Sequence, residues 1–357
     1  MSAAEGRRIG GEFELWPRLA SDAAPSAGLP TFGAAHETWL DTGRSALAVI
    51  AAHLARSAAA ATVWLPAYSC ESVAAPFKAR GLALRFYGVG ARLDRLDATP
   101  APGDTLLFIH YFGTRNRTAL QRAPALRAAG VRVIEDCVQA ALTQGIGRDG
   151  DHAVTSLRKL LAQPDGALLA SREPLAGALD APDEAFVNAR TLGKILRGSD
   201  AAAPSFLPLF EASERRLADD HPRAMSWLSR HLLAQEDLAA IGARRRANFA
   251  TLAGLLAGLD DAAGVRPLVG SLAEGEVPLG LPITVPARQR DGLRAHLAAA
   301  GIFCPVHWDL SHVDADGFED ERALSAALLT LPIDQRYDAR DMCAIHDSLA
   351  TFIGARS

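Results

Sequence analysis

Short apolar runs alternate with stretches of helical periodicity through the first half of this chain. The runs are bounded by turn residues and predict buried strands, whereas the stretches between them predict helices packed on a sheet. Predicted strands cover residues 62–66, 82–89, 105–110, 131–134 and 167–170, and predicted helices cover residues 41–56, 73–80 and 120–129. This alternation is typical of an α/β fold with a largely parallel central sheet flanked by helices, whose functional loops lie at the carboxyl ends of the strands.

The second half of the chain follows a different pattern. Residues 232–256 predict one long helix with a single buried face, and the Arg244–Arg246 run on it predicts a solvated surface. Strands at 281–285 and 302–307 and helices at 289–300 and 339–353 predict a smaller α+β domain. We therefore expect a large domain over residues 1–240, with the first 35 residues as an extended arm, and a small domain over residues 241–357.

Composition excludes several classes of protein. With 49% hydrophobic and 22% charged residues, the 357-residue chain has enough apolar side chains for a sizeable core. A net charge of −4 disfavours nucleic acid as a partner. No apolar run has membrane-spanning length and the N-terminus lacks a signal-peptide pattern, so we expect a cytoplasmic protein. The four cysteines form no CxxC pair, and we expect neither disulfides nor a metal site.

One carboxylate and one amine indicate the chemistry. Asp136 stands at the carboxyl end of a predicted strand, and Lys159 lies about twenty residues further on in a loop. Lysine is rare in this chain, since only Lys78, Lys159 and Lys194 contribute to its 37 basic residues. An amine that forms a Schiff base and an acid that keeps a pyridine nitrogen protonated are what a pyridoxal 5'-phosphate (PLP) site requires.

The motifs around these residues resemble a known family. The segments EDCVQA and GDHAVTSLRKLLAQPDGALL resemble the cofactor segment of the DegT/DnrJ/StrS aminotransferases, and TGRSAL, WLPAYSC, IHYFG, GIFCPVHW and LLTLPIDQRY follow the family's order along the chain. The resemblance implies the fold-type I architecture of PLP enzymes. It also implies a homodimeric aminotransferase that moves an amino group from glutamate or glutamine to a keto-sugar nucleotide or a similar biosynthetic carbonyl.

The resemblance also implies a cofactor site. Its members are Gly43, Arg44 and Ser45 at a helix start, Cys70, Asp136 and Gln139 after strands, and Ser156 and Lys159 in the lysine loop. Lys159 and Asp136 are the implied catalytic pair, and the helix start with Ser156 is the implied phosphate site. Gln139 is implied to lie against the phenolic oxygen, and Cys70 stands where many relatives carry an aromatic residue over the ring.

Substrate contacts are predicted in three places. His110 and Tyr111 stand at a strand end, and His307 lies in the expected wall motif of the small domain. The segment 10–13 is predicted to reach the active site of a neighbouring subunit. Glu135 is expected to point away from Asp136, to the opposite face of the sheet, and to have a structural role.

Two other functions remain open from the sequence. A PLP-dependent sugar dehydratase has the same fold, although that branch usually carries His in place of the lysine, and Lys159 counts against it. A regulatory or binding protein that has lost catalysis is the second alternative, because Cys70 and Arg44 depart from the family pattern.

Overall fold

A computed structural model describes residues 8–15, 31–56, 62–175, 177–199, 205–218, 221–259, 264–313 and 317–354. Its strands are β1 (Ile9–Gly10), β2 (His36–Leu40), β3 (Thr62–Pro66), β4 (Ala83–Tyr87), β5 (Thr105–Ile109), β6 (Arg132–Asp136), β7 (His152–Val154), β8 (Ala167–Ser171), β9 (Arg266–Pro267), β10 (Leu281–Thr284), β11 (Ile302–Phe303) and β12 (Leu328–Leu331). Its helices are α1 (Gly43–Arg56), α2 (Glu71–Ala79), α3 (Arg117–Ala128), α4 (Glu184–Gly198), α5 (Leu207–Arg215), α6 (Trp227–Ala234), α7 (Leu238–Leu256), α8 (Ala287–Ala299), α9 (Glu319–Ala327) and α10 (Ala339–Gly354). Much of the predicted N-terminal arm lies outside the described residues.

Seven strands form the central sheet in the order β2-β8-β7-β6-β5-β3-β4. Strands β4, β3, β5, β6 and β7 pair in parallel, and β8 pairs antiparallel with both β7 and β2. Every residue of β5 and β8 is buried, as expected for strands covered on both faces. The sheet confirms the predicted α/β class. Its strand order reverses between β3 and β5, and ligands of such sheets bind beyond the carboxyl ends of the strands at this place.

A smaller antiparallel sheet of β12, β10 and β9 lies in the C-terminal region, with its own apolar cluster. Strand β1 pairs in parallel with β11 of this region, and Ile9 belongs to the same apolar cluster. The described part of the N-terminal segment is therefore anchored to C-terminal residues. The division of the chain at residue 240 stays a prediction.

The predicted long helix over residues 232–256 is wrong, because two helices occupy this stretch. Helix α6 ends at Ala234, and α7 begins at Leu238. Asp237 caps the start of α7, because its side chain accepts a hydrogen bond from the Ala240 amide. Aspartate favours this capping position. The high helix propensity of the surrounding alanines and leucines concealed the break in the sequence.

The predicted strand over residues 302–307 is also shorter than expected. Only Ile302–Phe303 has strand pairing, and Pro305, which has no N–H to donate, follows two residues later. The Pro305 carbonyl accepts instead from the Thr330 amide. Residues 304–307 thus leave the sheet and turn towards the cavity described below.

The Arg244–Arg246 run is not a uniformly solvated face. The Arg245 side chain is 1% exposed and donates hydrogen bonds to the carbonyls of Leu160, Pro278 and Leu279. It faces inward because residue 245 lies on the buried stripe of α7. Across the described ranges, none of the helices combines the length and the apolar character needed to cross a bilayer.

Candidate active site

A cavity of about 330 Å³ lies at the carboxyl ends of the central strands. Cys70 follows β3, Ile109 ends β5 and Asp136 ends β6, and all three line the cavity. Ser156 and Lys159 enter from the connection between β7 and β8. The structure thus brings the loop after β3, the end of β5 and the loop after β6 to one cavity.

Asp136 and Lys159 line the same cavity. The Asp136 side chain is buried, and its Oδ1 accepts a hydrogen bond from the Val138 amide at 2.9 Å. Burial raises the pKa of this carboxyl to about 6, against the smaller lowering effects of the Val138 amide and of the Lys159 charge. No hydrogen bond to its second oxygen occurs among the described residues, so that oxygen is free to accept a donor from the cavity.

Lys159 presents its amine to the open cavity, although protein surrounds it on most sides. Desolvation by these surroundings lowers the pKa of the amine, and the positive charge of Arg158 lowers it further. Both effects favour the uncharged amine, which is the nucleophilic form.

The start of α1 forms one wall of the cavity. Thr42, Gly43 and Arg44 line it, and the Thr42 hydroxyl accepts from the Ser45 amide. A Cβ at Gly43 would lie 3.2 Å from the Thr155 carbonyl oxygen and 3.6 Å from the Ser156 Cβ, so the chain approaches closely here. The amides of a helix start and its dipole favour an anion.

Ser45 differs from the predicted set of phosphate contacts. Its hydroxyl accepts a hydrogen bond from Thr42 at 3.1 Å, and it is not among the lining residues. Thr42 takes its place at the wall. The third residue of a helix points back along the axis, and the sequence pattern alone does not reveal that direction.

Gln139 and Cys70 both line the cavity, as the sequence predicts. The Gln139 side-chain oxygen accepts from the Phe112 amide at 2.7 Å, which fixes the orientation of its amide group. Cys70 is half-buried, and its sulfur accepts from the Ser72 hydroxyl at 3.1 Å. Whether either residue contacts a cofactor stays a prediction.

His110 and Tyr111 do not reach the cavity, which corrects their predicted place as substrate contacts. His110 is fully buried, with Nε2 3.1 Å from Glu135 Oε2 and Nδ1 accepting from the Asn116 amide. The Tyr111 hydroxyl donates to the Tyr68 carbonyl. Both side chains therefore make internal contacts that hold the loop after β5.

Glu135 has the structural surroundings expected of it. Its carboxylate accepts from the amides of Gly147, Asp149 and Gly150 in addition to its contact with His110. It points away from the cavity because adjacent strand residues face opposite sides of a sheet.

His307 lines the cavity from the C-terminal region, as predicted. Its Nδ1 lies 3.0 Å from the Thr330 hydroxyl. Burial lowers the pKa of this imidazole to about 3, and the Lys159 charge contributes to the lowering. The ring is therefore neutral at physiological pH.

A cluster of charged residues at the cavity wall was not predicted from the sequence. Arg190 on α4 contacts Glu12 at 2.6 Å and Glu214 at 2.8 Å, and Glu214 also contacts Arg158 at 2.7 Å. Lys194, one turn after Arg190, contacts Glu12 at 3.2 Å. Cations four residues apart on a helix with apolar neighbours were the only signal available. Segment 10–13 thus places Glu12 at the cavity of its own chain, and its contact with a neighbouring subunit stays a prediction.

Solved structures match the chain over most of its length. The aminotransferase TlmJ from Streptoalloteichus hindustanus aligns at 20% identity and a TM-score of 0.66, over 89% of this chain and 86% of that one. The putative sugar aminotransferase Spr1654 from Streptococcus pneumoniae, in its PLP form, aligns at 14% identity and a TM-score of 0.68, over 98% and 99%. A DegT DnrJ EryC1 StrS aminotransferase from Brucella abortus aligns at 18% identity and a TM-score of 0.60, over 90% and 87%.

These matches confirm the predicted architecture. The chain has the fold-type I architecture of PLP-dependent aminotransferases, and its structural neighbours include the DegT/DnrJ/EryC1/StrS type named by the sequence motifs. No protein-family model matches the sequence. No curated protein matches it either. At this level of identity the likeness concerns the fold.

Proposed function

We propose that this chain is a PLP-dependent aminotransferase. It would take an amino group from glutamate or glutamine and transfer it to a carbonyl carbon of a keto-sugar nucleotide or a similar biosynthetic intermediate. The observation that carries the proposal is that Lys159 and Asp136 line one cavity. The fold agrees with this assignment.

The lining residues fit the cofactor. The unpaired oxygen of buried Asp136 suits a protonated pyridine nitrogen, which would restore its ionised form. The start of α1 with Thr42, Gly43 and Arg44 suits a phosphate, and Ser156 lies beside it. Gln139 would lie beside the ring. These residues line a cavity large enough for one small molecule.

When bound, PLP supplies an electron-withdrawing ring that acidifies the Cα proton of an amino donor. The chain's own residues supply the rest. The amine of Lys159 would hold the cofactor, and it would move the proton at Cα of the amino donor. Asp136 would keep the ring nitrogen of the bound cofactor positively charged.

The amino acceptor is the least constrained part of the proposal. Two structural neighbours are named for sugar chemistry: Spr1654 is titled a putative sugar aminotransferase, and Helicobacter pylori PseC an aminotransferase of pseudoaminic acid biosynthesis. Polar groups at the cavity, including His307 and Glu12, would suit a hydroxylated acceptor. Lys159 argues against the dehydratase alternative, which usually replaces this lysine with histidine.

Absorption spectroscopy tests the proposal. The purified protein mixed with PLP should show a visible band that Lys159→Ala abolishes and Lys78→Ala retains, because Lys78 is an exposed residue of α2. Adding L-glutamate or L-glutamine should then convert the band to that of the aminated cofactor. A wild-type protein that binds no PLP would overturn the proposal and favour a regulatory or binding role.

A further inference from the structure

Glu12 stands where two cavities meet. A second cavity of about 440 Å³ extends from the first towards the C-terminal region, where Arg294 and Phe303 line it. Glu12, Lys159 and His307 line both cavities. Glu12 therefore lies at the same junction of the two cavities as Lys159 and His307.

The Glu12 carboxylate covers two buried cations. The side chains of Arg190 and Lys194 are 1% and 0% exposed, whereas that of Glu12 is 35% exposed. Arg190 Nη2 donates to Glu12 Oε1 at 2.6 Å, and Lys194 Nζ donates to Oε2 at 3.2 Å. Lys194 lines neither cavity, and Arg190 lines the first cavity but is almost fully covered, so Glu12 is the most exposed charged group of the three.

The Glu12 carboxylate is ionised and can still accept hydrogen bonds. Burial raises the pKa of the Glu12 carboxyl, but the positive charges of Lys194, Arg190 and Arg158 outweigh this effect and hold the pKa well below its usual range. Each carboxylate oxygen has two acceptor positions, and one contact per oxygen is formed with the cations behind it. A further hydrogen-bond donor from the cavity can therefore be accepted.

The lining of the first cavity offers no surplus of positive charge for a second acid. Its described charged groups, apart from Lys159, are the cations Arg44, Arg158 and Arg190 and the anions Glu12, Asp136 and Glu214. The cofactor phosphate would add negative charge to this balanced set. Lys194 behind Glu12, and Arg245 and Arg294 in the second cavity, add positive charge, but a second carboxylate in contact with Glu12 would have no proton to donate to it.

We propose that Glu12 determines the amino donor, and that it selects glutamine over glutamate. The inference rests on the proposed function and names one of the two donors that it leaves open. The side-chain amide of glutamine donates an N–H to the Glu12 carboxylate, whereas the side-chain carboxylate of glutamate is repelled by it. In the donor half-reaction the Cα–H and Cα–N bonds of glutamine would break, and Cα would take an oxygen from water to give a 2-oxo acid. The Cα proton would pass through Lys159, and the amino group and the electron pair would go to the cofactor.

Binding of two unreactive analogues tests the proposal without turnover. Glutaramate and glutarate reproduce the amide and the acid and lack the amino group, and calorimetry gives their dissociation constants for the PLP-loaded protein. We expect wild type to bind glutaramate at least about tenfold more tightly, which corresponds to about 1.4 kcal/mol. Glu12→Gln should abolish this preference, and Glu12→Asp should keep most of it.

Glu14→Gln is the matched control. Glu14 lies two residues away in the same segment and pairs with Arg197 and Arg336, and it lines neither cavity. Its variant loses a comparable ion pair and should leave the preference unchanged. Equal binding of the two analogues by wild type, or an equal loss of preference in Glu12→Gln and Glu14→Gln, would overturn the assignment.

The donor half-reaction separates this inference from the proposed function. L-glutamine should convert the cofactor band of wild type at least about tenfold faster than L-glutamate, and Glu12→Gln should bring the two rates together. If neither donor converts the band, the aminotransferase proposal fails. If both convert it at similar rates, that proposal stands and the role of Glu12 is wrong.

Discussion

Two titratable groups at the cavity have pKa values shifted from their ordinary values. Burial raises the pKa of Asp136 to about 6, and desolvation together with Arg158 lowers the pKa of Lys159. Burial disfavours the ionised form of the carboxyl and the protonated form of the amine. A ligand that pairs with these groups would offset this cost. Perturbed groups of this kind gather at functional sites.

Asp136 should make the PLP-free protein less stable at neutral pH. Its pKa rises from 3.8 unfolded to about 6 folded, so between these values the folded chain binds a proton that the unfolded chain has lost. Stability then falls as pH rises through this window, by up to about 3 kcal/mol. Asp136→Asn removes the effect and should unfold at higher denaturant concentration than wild type at pH 7.5, but not at pH 4.

The control for this measurement is Asp94→Asn, because the Asp94 side chain is 58% exposed. It should shift the denaturation midpoint little at either pH. A stability difference between Asp136→Asn and wild type that is the same at both pH values would contradict the assigned environment of Asp136.

At the scale of elements, most strands of the central sheet were predictable, whereas several other strands and helices were not. The strand Thr62–Pro66 was predicted with its observed bounds, because a buried strand requires a continuous apolar run between turn residues. The break before α7 was not predictable, because one capping aspartate in an alanine-rich stretch carries little weight. The side-chain directions of His110 and Ser45 depend on tertiary contacts and had no sequence signal.

Helix α7 is fixed to the lysine loop by Arg245. Its guanidinium donates to Leu160 next to Lys159, to Pro278 and Leu279, and to the Gln335 side chain. Arg245→Ala should cost about 3–5 kcal/mol of unfolding free energy, since it leaves several buried acceptors without donors. Arg244→Ala, at the adjacent exposed position, should cost less than about 0.5 kcal/mol. Chemical denaturation measures both, and equal effects would contradict the buried role of Arg245.

At the scale of the whole molecule, the cavity lies where the N-terminal segment, the central sheet and the C-terminal region meet. Arg336 donates to the Glu12 carbonyl and contacts Glu14 at 2.8 Å, and Arg197 donates to the Gly10 and Glu12 carbonyls. A single short segment thus joins helix α4 to the C-terminal residues beside the site. The sequence did not predict the charged cluster, because Glu12 lies far along the chain from its partners. Glu12 and Arg190, for example, are 178 residues apart.

We expect the chain to form a homodimer, as the sequence resemblance implies. Large apolar side chains are exposed on the described surface of α4, α5 and α6, where Leu192 and Leu207 are each 47% exposed and Trp227 is 75% exposed. Exposed apolar groups of this size are common at subunit interfaces. Light scattering after size-exclusion chromatography should give twice the 37.7-kDa chain mass, and a mass of one chain at micromolar concentration would contradict the expectation.

Borohydride reduction followed by peptide mass spectrometry tests the central claim most directly. Reduction fixes the cofactor to whichever lysine holds it, and the chain offers only Lys78, Lys159 and Lys194. We predict a pyridoxyl group on the peptide that contains Lys159 and on no other. Attachment to Lys194 or Lys78 in its place, or no attachment at saturating PLP, would contradict the account.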